Sequence, residues 1–183
     1  MKSALLSLAR GAIAESVGLS HDIDLQKLLK ENPWLKEKGA VFVTLNKREN
    51  HQLRGCIGSL TAHRELYKDI IDNAVSAATH DPRFSPLAQD EFDKISVEVS
   101  LLSEPHELIY KDIDDLKKKI RPNIDGVVLQ YAGRKATFLP QVWEELSGFD
   151  EFFGHLCQKA GLSGRCLNDH PAILTYQVKK FEE

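Results

Sequence analysis

Near the start of the chain, apolar residues fall at Leu5, Leu8, Ala9, Ala12 and Ile13, with Ser7 and Arg10 on the other side. That spacing of three and four predicts an amphipathic first helix, and Gly18 is placed to stop it. From Val41 the period changes to two. Val41, Val43 and Leu45 alternate with Phe42, Thr44 and Asn46, the pattern of a strand with one buried face. The polar stretch 47–51 fits a hairpin loop and 53–59 a return strand. A helix is predicted over about 64–79, with Leu66, Ile70, Asn73, Ala74, Ala77 and Ala78 on one side. His80-Asp81-Pro82-Arg83-Phe84-Ser85-Pro86 breaks it with two prolines. Ile95, Val97, Val99 and Leu101 then form a further alternating strand.

The second half repeats the mixture. A short helix is predicted over 114–120, ahead of Pro122. Strands 127–131 and 134–139 flank Ala132-Gly133, a tight hairpin turn. Pro140 suits the first turn of a helix over 141–146, and a helix over 151–160 ends at Gly161. A final strand is expected over 172–179. The order predicts an α+β fold of two lobes, each a small, mainly antiparallel sheet packed with helices, with a cleft between them. The small lobe is expected over about 39–105, in strand-strand-helix-strand order. The large lobe is expected from 1–38 plus 106–183, the first helix packing with the second half.

Composition narrows the class without naming an activity. With 183 residues, 42% hydrophobic and 28% charged, the chain is long enough to bury a core without disulfide help. A formal net charge of −3 lacks the basic excess of a dedicated duplex-DNA binder, although a local basic groove stays open. No stretch approaches the roughly 20 apolar residues of a membrane helix. Cys56, Cys157 and Cys166 are odd in number, widely spaced and without a CxxC pair. Reduced thiols, a cytoplasmic setting and no structural zinc site are the expectation.

The most informative stretch is Leu53-Arg54-Gly55-Cys56-Ile57-Gly58. In a regular strand, Arg54, Cys56 and Gly58 share one face, which sets a guanidinium one side-chain position from a thiol, about 7 Å between Cα atoms. A neighbouring fixed positive charge favours the thiolate. Cys56 is therefore a candidate nucleophile, with Arg54 activating it and binding an anionic group. Gly55 and Gly58 are candidates for close approach of a ligand. The alternative is equally concrete: Cys56 as a small core residue, the glycines as packing space, and Arg54 paired with Glu98.

Asp81 and Arg83 offer a carboxylate and a guanidinium on a proline turn. Arg83 could hold an anionic substrate in a fork, or the pair could satisfy the local backbone. Asn73, on an apolar helix face, needs a partner if buried and is expected to brace a strand or loop. The seven histidines form no metal spacing, and His155 and Cys157, two apart on a helix, face different directions. Neither a P-loop nor GxGxxG is present, so no cofactor is indicated. Gln141 is a candidate cleft residue with amide donors and an acceptor, or a plain helix-start residue.

These motifs together resemble the AMMECR domain family, also called AmmeMemoRadiSam system protein A. The resemblance rests on the signature 53–58, Asp81-Pro82-Arg83-Phe84 with Pro86-Leu87, and the stretch 95–102. Asp125-Gly126, Phe138-Leu139-Pro140-Gln141-Val142 and Leu156-Cys157-Gln158-Lys159-Ala160-Gly161-Leu162 extend it over nearly the whole chain. It implies a two-lobed α+β fold with the signature near the lobe interface. It also implies association with a Memo-like protein and a radical S-adenosylmethionine protein, and RNA or nucleotide modification without a settled substrate. His80 departs from the family pattern, so an essential base is not expected there. Two functions follow: a thiol-dependent step on a nucleotide, RNA or small anionic metabolite, or a non-catalytic interaction and delivery module.

Overall fold

The computed structural model describes residues Met1–Glu183 and divides into two units, Met1–Leu102 with Lys179–Glu183, and Ser103–Val178. Helix α1 (Lys2–Ser16) buries Leu5, Leu8, Ala9 and Ile13 at the predicted spacing, and Gly18 follows at φ +79°. Helix α2 (Leu25–Glu31) is started by Asp24, whose carboxylate accepts the Lys27 N–H at 3.0 Å. Its seven residues fully bury no side chain, which is why no apolar period announced it. Strands β1 (Lys38–Lys47) and β2 (Leu53–Gly58) form the expected hairpin, and β3 (Arg64–Glu65) leads into helix α3 (Leu66–Thr79). Strand β4 (Ile95–Leu102) follows a 3-10 helix over Gln89–Lys94.

Next come β5 (His106–Glu107), helix α4 (Ile113–Lys119) and the hairpin β6 (Gly126–Tyr131) and β7 (Arg134–Phe138). Ala132 and Gly133 both take positive φ in that turn, as a two-residue hairpin loop requires, Ala132 against the steric preference of its Cβ. Helices α5 (Val142–Glu145) and α6 (Phe149–Lys159) precede β8 (Ala172–Tyr176) and β9 (Val178–Glu182). The single final strand expected over 172–179 is thus two strands in two different sheets. The break falls at Gln177, whose N–H donates to Ser103 Oγ at 2.9 Å while its carbonyl accepts the Ser103 N–H at 2.8 Å.

In the first unit the sheet runs β2-β1-β4-β9, with β3 paired to the start of β1. Val41, Val43 and Leu45 with Val97 and Val99 point to one face and share a core with Leu5, Ile13, Ile70 and Ala74. Helices α1 and α3 therefore cover one face of the sheet, and the alternate residues Thr44, Cys56 and Glu98 occupy the other. The placement of α1 corrects the expected division of the chain. Its apolar stripe completes the lid over β1 and β4, and Arg10 locks it there by donating to the carbonyls of Ile95 (2.9 Å) and Phe92 (2.8 Å).

A buried polar cluster ties α3 to β1. Asp69, fully buried, accepts the Val41 N–H (3.0 Å), Ser59 Oγ (2.6 Å) and Arg64 Nε (2.8 Å). Asn73 braces the strand as expected, donating to the Val41 carbonyl at 3.2 Å and to Ser59 Oγ at 3.1 Å.

In the second unit the antiparallel sheet runs β5-β8-β6-β7. Val127, Leu129 and Ile173 pack with Trp143, Phe152, Phe153 and Leu156. Trp143 Nε1 donates to the Asp125 carbonyl at 3.1 Å, and the Asp125 carboxylate accepts from Arg121. Cys157 and Cys166, both buried, form a disulfide, so the expectation of three reduced thiols does not hold. The turn at Gly161 folds the 3-10 segment Cys166–Asp169 back on the end of α6, a proximity that residue spacing could not reveal.

Candidate functional site

The site is built on β2, which lies at an edge of its sheet. Gly55 faces α3, where a Cβ would overlap the carbonyl oxygen of Ala77, and Gly58 faces Phe42, whose ring fills the space a Cβ would take. Both glycines are therefore committed to packing within the chain, α3 lying directly on the strand at Gly55.

The Arg54 guanidinium makes no bond to Cys56 and pairs elsewhere. The pairing of β1 with β2 slips between Leu45 and Asn46, which oppose Gly55 and Leu53, so Arg54 is the extra residue of a bulge. Strict alternation fails there, and the guanidinium runs to the 3-10 helix over Gln89–Lys94. It donates from Nε and Nη2 to the two Glu91 oxygens at 2.9 and 2.8 Å, and from Nη1 to the Ser85 carbonyl at 3.0 Å. The partner is Glu91, not Glu98. The two-pronged bond holds the Glu91 carboxyl down to about 2 and raises the Arg54 guanidinium further. Arg54 is buried, and each of its three guanidinium nitrogens donates to Glu91 or Ser85.

Cys56 is the free thiol of the chain and is half-buried on the sheet face away from the helices. It stands directly opposite Thr44, which in turn stands opposite Glu98, so thiol, hydroxyl and carboxylate form one row across β2, β1 and β4. Thr44 Oγ1 donates to Cys56 Sγ at 3.3 Å. The Cys56 backbone, at the outer edge of the sheet, is held by the turn after α3. Its N–H donates to Asp81 Oδ2 at 2.9 Å, and its carbonyl accepts Arg83 Nη2 at 3.3 Å.

Asp81 also accepts Arg83 Nε (3.0 Å), Nη2 (2.7 Å) and the Arg83 N–H (3.1 Å). The Arg83 guanidinium, aided by the N–H groups of Cys56 and Arg83, holds the Asp81 carboxyl well below the usual carboxylate range against the opposing effect of burial. The Arg83 side chain is 54% exposed, and its Nη1 has no hydrogen-bond partner in the chain. It satisfies the local backbone, one of the two roles the sequence left open, and keeps Nη1 without a partner in the chain. Gln141 belongs to the second unit, exposed in the turn before α5, with no cap bond from its side chain.

Sequence reasoning missed Thr44 and Glu98 as companions of Cys56. Alternation alone fixes the face of each; only the register puts them in one row.

The family model for AMMECR1 matches residues 6–181. A protein of Methanothermobacter thermautotrophicus is 37% identical over 182 residues, 98% of this chain and 92% of the relative. One of Pyrococcus abyssi is 37% identical over 188 residues, 98% and 88% of the two chains. The crystal structure of an uncharacterised protein from Pyrococcus horikoshii is similar with a TM-score of 0.80 at 35% identity, covering 98% of this chain and 89% of that one. By sequence over nearly its full length and by fold, the chain belongs to the AMMECR1 family.

Proposed function

We propose that the protein carries out a thiol-dependent step on a small anionic metabolite, a nucleotide or RNA, with Cys56 as the nucleophile and Arg83 holding the anionic group. The observation that carries this reading is the contact of a half-buried Cys56 Sγ with the Thr44 hydroxyl at 3.3 Å, beside an arginine with an unused donor. In such a step Sγ bonds to an electrophilic carbon of the substrate as the bond to the leaving group breaks, and the thiol proton departs with that group. Water then hydrolyses the adduct and returns the thiol. Thr44 fixes the sulfur's direction, and Asp81 holds Arg83 in place.

A second reading is favoured by the packing of Arg54, Gly55 and Gly58. In it the signature is an architectural element, and the protein is a delivery or interaction module for Memo-like and radical S-adenosylmethionine proteins. Alkylation with iodoacetamide, followed by intact mass, separates the two. The enzyme reading expects modification of Cys56 in the folded protein. Modification only after denaturation overturns it. In cells, a Cys56→Ser variant should reproduce the metabolite and modified-nucleoside profile of the deletion strain; a variant that folds normally and behaves as wild type leaves the module.

A further inference from the structure

We propose that the substrate handled at Cys56 is dipolar, its anionic group bound by Arg83 at the edge of β2 and a protonated amine bound by Glu98 on β4. This rests on the reading of Cys56 as the reactive group and extends it to the other end of the row. Strand spacing sets Cys56 and Glu98 about 10 Å apart at Cα, with Thr44 as the floor between them. Glu98 Oε1 accepts Ser100 Oγ at 3.1 Å, while Oε2 has no hydrogen-bond partner in the chain. Lys180 Nζ lies 3.7 Å from Oε1, but its side chain is 53% exposed and that of Glu98 only 16%. An exposed cation at that distance is screened by water, whereas the carboxylate is largely buried in the sheet face and held by Ser100.

The Arg83 guanidinium, paired with Asp81 but keeping Nη1 free, and the Glu98 carboxylate two strands away, paired at 3.7 Å with Lys180, therefore bracket the thiol and hydroxyl with groups of opposite charge. A substrate with charge at both ends is aligned by that field, its middle over Cys56. A simple anion would find a donor at Arg83 and none at the free Glu98 oxygen. Glu98 is thus a specificity-determining residue.

Methanethiosulfonate reagents test the charge layout without knowledge of the substrate. The neutral methyl, cationic trimethylammonium-ethyl and anionic sulfonatoethyl reagents each transfer an alkylthio group to Cys56 Sγ, forming a mixed disulfide as the thiol proton and methanesulfinate leave, read by intact mass at low ionic strength. Rate ratios between reagents cancel any change in thiol ionisation and report the local field alone. Glu98→Gln, which keeps an acceptor for Ser100 and removes only charge, should lower the cationic-to-neutral ratio about two- to fivefold, the reach of a unit charge about 10 Å away near water. Glu98→Asp should leave the ratio near wild type, and Lys180→Met should raise it. If the neutral reagent labels native Cys56 but Glu98→Gln leaves the ratio unchanged, the dipolar substrate is excluded and the thiol reading stands. If the neutral reagent labels Cys56 only after unfolding, the thiol reading itself falls.

Discussion

Asp81 and Arg83, joined through Oδ2 and Nη2 at 2.7 Å, together do for Cys56 what a neighbouring strand would do. The carboxylate accepts the outward N–H of Cys56 and the guanidinium donates to its outward carbonyl, so the edge of β2 is closed by side chains instead of a backbone. Two motifs far apart in sequence are one structural device. Asp81→Asn should remove the ionic half of this clip and destabilise the protein by about 2 kcal/mol, the order of cost for a buried acceptor that loses charge-assisted bonds. The effect has a sign in pH. A carboxyl held below its unfolded value of about 3.9 contributes stability that is full above that pH and lost as pH falls through the folded value. Wild type minus Asp81→Asn, measured by urea unfolding, should therefore shrink steadily below about pH 4; a difference constant down to pH 2 would show that the clip contributes no ionic stability.

The Arg54–Glu91 pair makes an asymmetric prediction. The Arg54 side chain is 7% exposed and that of Glu91 31%. Removing Glu91 leaves a buried guanidinium with one carbonyl partner, whereas removing Arg54 leaves a carboxylate that water can reach. Glu91→Ala should thus cost about 3 kcal/mol and Arg54→Met about 1 to 2, the methionine keeping part of the apolar contact. Because Glu91 is held at about 2, the stabilisation declines as pH falls from about 4.3 toward 2. Equal losses for the two substitutions in chemical denaturation would contradict the burial argument.

The strands and helices that build the site were legible because their signals are local. The alternation through β1 and β4, the stripe of α1 and the Ala132-Gly133 turn each follow from a few adjacent residues. What escaped depends on pairing between distant segments. The direction of Arg54 is set by a one-residue slip against β1, which no single-strand pattern contains. The membership of α1 in the first unit follows from which apolar face lacked cover, and amphipathicity alone does not choose between two sheets. The pairing of Cys157 with Cys166 is likewise a product of the Gly161 turn. Cys56, Thr44 and Glu98 each lie on the strand face turned from the helices; only the register of three strands sets them in one row.

Gly55 should tolerate substitution less well than Gly58. A Cβ at Gly55 meets a backbone carbonyl of α3, which can yield only by moving the helix from the sheet. At Gly58 the obstacle is the Phe42 ring, a half-buried side chain that can rotate aside. Overpacking typically costs about 1–3 kcal/mol. Gly55→Ala should therefore fall at the upper end or beyond, and Gly58→Ala near the lower end. Thermal unfolding of the two variants settles the order, and reversal of that order would mean that α3 is free to shift.

The Cys157–Cys166 bond should govern the stability of the second unit and leave Cys56 untouched. Its two half-cystines are separated by nine positions and sit fully within the core beside Phe152, Phe153 and Leu156. Cross-linking a loop of that length restricts the unfolded chain by about 2.5 kcal/mol. The reduced thiols would remain buried and pack as small apolar groups, so the native arrangement of Trp143 and Phe152 should persist. Reduction by a phosphine, or the Cys157→Ala, Cys166→Ala double variant, is accordingly expected to lower the denaturant midpoint without changing the near-ultraviolet aromatic spectrum at low denaturant. Labelling of Cys56 with iodoacetamide should proceed at the same rate in both states. A reduced protein that loses its aromatic spectrum would show instead that the bond holds the native core together.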